Sequence, residues 1–105
     1  MKVQTGYNKS TFELCFPAAS AFHALLGGGL QDIHEYKENQ RTENIVAKAL
    51  DFYVEGMGVQ RVKFPADYQL LKIPDMAIVK LINPTAVVYR GNVYVKADGI
   101  ELAKN

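Results

Sequence analysis

The chain predicts a mainly β fold with a minor α component: a small five- to six-stranded barrel of the OB-fold, single-strand-binding-like kind, with one or two short helices. Three observations lead there. Short runs of β-branched and aromatic residues recur through the second half, as in Val59–Phe64 (VQRVKF) and Val93–Ala97 (VYVKA). Turn residues separate them: Glu55-Gly56-Met57-Gly58, Asn83-Pro84, Arg90-Gly91-Asn92 and Asp98-Gly99. Helical patterning is scarce. Many short strands with closely spaced turns argue for a barrel or sandwich, and a β-grasp or a roll with one packed helix is the alternative. At 105 residues, positions 1–105 are expected to form a single domain.

The elements follow in order. Thr11–Phe16 (TFELCF) alternates and reads as a first strand. Pro17–Leu26 (PAASAFHALL) suits a short helix, with proline in its first turn and Phe22, Leu25 and Leu26 on one face. Gly27-Gly28-Gly29 stops it. Gln31–Asn44 is polar and aperiodic, which suggests a loop or an exposed, frayed helix. Ile45–Val54 is ambiguous up to Leu50 and strand-like from Phe52. With the glycine turn and Val59–Phe64 it makes a hairpin. Pro65–Asp75 is a connection with a helical turn expected around Tyr68–Leu71. Ala77–Ile82, Ala86–Tyr89, Val93–Ala97 and Ile100–Ala103 complete the strands.

Composition is that of an ordinary globular protein, 49% hydrophobic and 22% charged. No run approaches the roughly 18 apolar residues of a membrane helix. The first ten residues have no apolar core of a secretory signal, so a cytoplasmic location without membrane association is expected. One cysteine, Cys15, fits a reducing compartment. The net charge of +1 conceals a polarity. Residues 31–55 carry six acids against three bases, whereas residues 56–105 carry seven bases against four acids. A domain so divided can offer one basic face to a polyanion.

The catalytic inventory is thin, and an enzyme is not expected. Cys15 with His23 and His34 is the sole thiol–imidazole set, and Cys15 between Leu14 and Phe16 reads as a small buried hydrophobe. Those residues with Glu35 lack metal-ligand spacing, so neither metal nor cofactor is expected. The triple glycine lacks both the lysine-serine/threonine end of a P-loop and the strand-then-helix context of a dinucleotide fingerprint. Glu35 and Glu38 lie in the polar segment, without the apolar surroundings of a general acid.

Binding remains. Alternation puts Tyr94 and Lys96 on one face of their strand, and Arg61 and Lys63 on one face of theirs. Lys80 interrupts an apolar strand, and Tyr89 precedes Arg90. Aromatic rings beside cations on a sheet face bind single-stranded nucleic acid, the rings stacking on bases and the cations neutralising phosphates. Arg61, Lys63, Lys80, Tyr89, Arg90, Tyr94 and Lys96 are therefore the predicted nucleic-acid-binding residues. Tyrosine–lysine pairs also arise on exposed strands for purely structural reasons.

The run Val79-Lys80-Leu81-Ile82-Asn83-Pro84, followed by Tyr94-Val95-Lys96-Ala97-Asp98 and Ile100–Leu102, resembles the helicase-processivity (HelP/YdcP-like) family of Gram-positive integrative and conjugative elements. The hairpin Tyr53–Pro65 and the Thr11-Phe12-Glu13-Leu14 opening are similar to that family as well. Two features depart from its pattern. Phe22–Gly29 replaces an arginine-rich segment, and the Arg90-Gly91-Asn92 loop is shorter. The resemblance implies a non-enzymatic accessory protein of conjugative DNA transfer and replication. Such a protein would bind single-stranded DNA, a host helicase or both, acting with an element relaxase, to support processive unwinding. The alternative is a protein–protein adaptor without intrinsic nucleic-acid affinity, using a strand edge or the Phe22–Leu26 patch. Either reading is compatible with a homo-oligomer.

Overall fold

The computed structural model describes residues 6–17, 21–70 and 72–103. Its first element is a helix, α1 (Lys9–Cys15). Asn8 caps it, Oδ1 accepting from the Thr11 amide at 2.7 Å and from the Thr11 hydroxyl at 2.9 Å. The expected strand at Thr11–Phe16 is thereby corrected. Phe12 and Phe16, four residues apart, turn to the core, while Leu14 is 84% exposed. A strand would have put all three on one side.

Eight strands follow: β1 (Phe22–Ala24), β2 (Gln31–Lys37), β3 (Gln40–Val54), β4 (Gly58–Pro65), β5 (Ile78–Ile82), β6 (Thr85–Tyr89), β7 (Asn92–Lys96) and β8 (Gly99–Leu102). The mainly β reading with one short helix therefore holds. The architecture is one mixed sheet whose hydrogen-bonded path runs β6-β7-β4-β3-β1-β5-β8, with β2 paired to β3 off that path. Among the described residues no pairing joins β6 to β8, so the sheet is open where a closed five- to six-stranded barrel was expected.

Three local readings change. Phe22–Ala24, read as part of a helix, is β1, wedged between Phe52–Val54 of β3 and Ile78–Val79 of β5; residues 18–20 of that segment lie outside the described set. Gln31–Asn44, read as loop or helix, is β2 and the first part of β3, joined at Glu38-Asn39 with φ of 52° and 64°. Positive φ at both central residues marks the mirror-image turn that matches strand twist. Residues 68–70 form no helical turn, and Leu71 lies outside the described residues. The Glu55–Met57 hairpin stands as expected, pairing Val54 with Gly58.

The core lies on one face of the sheet, around Phe22, Leu50, Phe52, Val54, Val62, Phe64 and Val95. An aromatic file crosses it: Phe12–Phe16, Phe16–Phe22, Phe22–Phe52, Phe52–Phe64 and Phe64–Tyr68, with centroid separations of 5.1, 5.4, 6.2, 6.2 and 4.5 Å. Each contact adds about 0.5–1.5 kcal/mol beyond its buried area. The file ties α1 and the Pro65–Asp75 connection to the sheet. On the opposite face Arg61, Tyr94 and Lys96 are exposed, while Ala49 is buried. Among the described residues, no helix is long and apolar enough to cross a membrane.

Candidate nucleic-acid interface

Alternation in β4 sends Val62 and Phe64 into the core and leaves an exposed Arg61 and a half-buried Lys63 on the opposite face. In β7 it buries Val95 and presents Tyr94 and Lys96. The strands are parallel neighbours in the register Val62↔Val95 and Lys63↔Lys96. The two lysines thus stand on adjacent strands of one face, and among the described residues neither is in an ion pair. Adjacent like charges repel, so this position favours an anion.

Tyr94 pairs with Val87 of β6 and is 40% exposed. Tyr7 joins it from outside the sheet. A two-bond bridge between Asn8 and Ala86, both bonds 3.0 Å, holds the segment before α1 against β6. Lys96 Nζ then lies 4.4 Å from the Tyr7 ring centroid, a cation–π contact. Burial, together with the neighbouring Tyr94, raises the Tyr7 hydroxyl above its ordinary range. Two tyrosines and two lysines consequently share one patch. Tyr7 was missed from the sequence, since the bridge from Asn8 to Ala86 leaves no local signal.

The other predicted residues divide. Arg61 lies beside the patch but is engaged, its Nε donating to Asp51 Oδ1 at 2.9 Å across the β3–β4 pair. Tyr89 and Arg90 form the tip of the β6–β7 hairpin, where Arg90 lies 5.2 Å from the Tyr89 ring centroid. They extend the patch at its margin. Lys80 stands apart: β5 is three strands from β4 along the sheet path, and Lys80 faces Glu101 of β8 in register. The structure does not bring it to the site.

Cys15, His23 and His34 occupy three different elements. Cys15 packs against the core at the end of α1. His34 Nδ1 is 3.0 Å from the Thr42 carbonyl oxygen. His23 bridges two loops, with Nε2 at 2.9 Å from Glu55 Oε2 and Nδ1 at 3.0 Å from the Met76 carbonyl oxygen. Phe22 and Ala24, half of the apolar patch proposed for an adaptor, are buried in the core.

No family model matches the chain, and no curated protein matches it. It is similar to a Streptococcus agalactiae protein whose solution NMR structure was determined as a structural-genomics target. The identity is 26%, the TM-score 0.58, and the match covers 100% of this chain and 99% of that one. The likeness supports the fold along the whole chain and carries no activity with it.

Proposed function

We propose that the protein is a non-enzymatic, cytoplasmic accessory factor that binds single-stranded DNA on the face of β4 and β7 opposite the core. The observation that carries this reading is the in-register Lys63–Lys96 pair beside Tyr94 and Tyr7. Phosphates neutralise the two ammonium groups while bases stack on the rings. Binding of this kind uses an exposed sheet face and does not require a closed OB barrel. Lys80 is withdrawn from the contact set, and Arg61 contributes less than a free cation because Asp51 holds it.

Through its resemblance to the helicase-processivity family, the protein supports unwinding during conjugative transfer, alongside a helicase and a relaxase. With a net charge of only +1, affinity is expected in the non-specific range, with Kd on the order of micromolar to tens of micromolar. Fluorescence anisotropy with a labelled single-stranded oligonucleotide tests this. Saturable binding that exceeds duplex binding is expected. Absence of binding would favour the adaptor reading, for which Ile78 and Ile82 on β5 and Leu102 on the edge strand β8 offer exposed apolar side chains.

A further inference from the structure

Strands β4 and β7 are in register over only two pairs, continued by the Ala97 amide donating to the Lys63 carbonyl at 2.9 Å. Beyond Val62 and Val95 the strands part. The Gln60 side chain spans the gap, its Nε2 donating to the Val93 carbonyl at 3.3 Å and to the Arg61 carbonyl at 2.9 Å. The wedge so formed is a cavity of about 620 Å³, walled by Ile33, Val93 and Tyr94 with Gln60 and Arg61. That volume lies within the roughly 300–1,000 Å³ of small-molecule sites. Lys63 also borders a second cavity of about 290 Å³, shared with Lys96, Thr85, Asn83 and Asp98.

We infer that the two cavities, joined at Lys63, form a subsite for one nucleotide unit, with the base in the β4–β7 wedge and its phosphate between Lys63 and Lys96. This rests on the nucleic-acid reading above and narrows it. The wedge supplies apolar surface for the faces of a base. Its edge finds the Gln60 amide, whose present partners are backbone carbonyls that a base can replace. The smaller cavity supplies two ammonium groups, a hydroxyl and an amide for the phosphate. Among the described lining residues Asp98 is the single opposing charge, and Asn83 Nδ2 already donates to its Oδ2 at 2.9 Å. The balance at the smaller cavity remains positive.

The test is an amide NMR titration with thymidine 5′-monophosphate, thymidine and inorganic phosphate separately, and with single-stranded oligothymidylates bearing a 5′-hydroxyl or a 5′-phosphate. The mononucleotide is expected to shift amides of residues 60–63 and 92–97 saturably, and more tightly than either fragment. Lys63→Gln or Lys96→Gln should weaken it by about tenfold or more. Asp98→Asn, which keeps an acceptor for Asn83, should tighten it by about two- to fivefold. Equal shifts from both oligonucleotides assign the subsite to internal units of a strand, and a preference for the 5′-phosphate assigns it to strand ends. Oligonucleotide binding without mononucleotide shifts at these amides would overturn the subsite and leave the proposed function standing. Inorganic phosphate matching the mononucleotide would overturn the base wedge, and binding of neither mononucleotide nor oligonucleotide would remove both readings.

Discussion

His23 shows how much one side chain decides. Both its partners, the Glu55 carboxylate and the Met76 carbonyl, are acceptors, and only the doubly protonated ring donates to both. The Glu55 hydrogen bond, then the Met76 carbonyl, raise its pKa, against a smaller lowering by burial. Tyr53 lies nearby, tilted, at 5.9 Å, and Asp75, holding the Leu26 amide at 2.8 Å, adds a negative charge to the adjoining loop. A raised folded-state pKa gives stability that is fully present below the unfolded value of about 6.5 and is lost as pH rises through the folded value. The thermal midpoint should therefore fall as pH rises above about 6.5, and His23→Gln should flatten that slope. An unchanged slope in the variant would assign the effect to another group. Tyr94 is the residue-scale test of binding. Tyr94→Ala should cost about 1–3 kcal/mol of oligonucleotide affinity and Tyr94→Phe almost none, since the ring face does the stacking. Equal losses in both would mean that the hydroxyl, rather than the ring, makes the contact.

Among the elements, the β2–β3 hairpin is the least ordinary. Over residues 40–46, β3 pairs only with β2, because β4 joins it from Ala47 onward. Glu38 at its turn adopts φ 52°, a region that costs non-glycine residues roughly 1–2 kcal/mol. Converting the turn with Glu38→Asn and Asn39→Gly should slow amide exchange across Gln31–Lys37, because that pair suits the mirror-image turn. Unchanged exchange would place the limiting opening elsewhere. The same hairpin explains a misreading. Its faces are both largely exposed and its register shifts around His34, so the sequence shows no period of two there. Elsewhere alternation misled: TFELCF satisfies a strand pattern, yet the Asn8 cap and the Phe12/Phe16 spacing make it a helix. The strands from Phe52 to Lys96 were legible because each has one face more buried than the other and a recognisable turn.

At the scale of the molecule, the two halves of the charge distribution end on different structures. The acids of residues 31–55 lie mainly on the β2–β3 hairpin, several tied to cations: Asp32 to Lys48 at 3.4 Å and Glu35 to Lys37 at 3.5 Å. Among the described residues, Lys63 in β4 and Lys96 at the end of β7 are in no ion pair. Four of the seven predicted contact residues, Arg61, Lys63, Tyr94 and Lys96, could be placed on faces from alternation alone. That β4 and β7 are parallel neighbours could not, since a pairing across β5 and β6 leaves no local signal; Tyr7 was hidden for the same reason. The sheet path likewise escaped, because counting strands does not determine whether their ends meet. The central claim is that Lys63 and Lys96 neutralise phosphates of a single strand. The most direct measurement compares the salt dependence of oligonucleotide binding for the native protein and the Lys63→Gln/Lys96→Gln double variant. With about 0.7 in log–log slope for each phosphate contact on a single strand, the variant should bind more weakly, with a slope shallower by about 1.4. Equal slopes in the two proteins would contradict the claim and move the interface off this face.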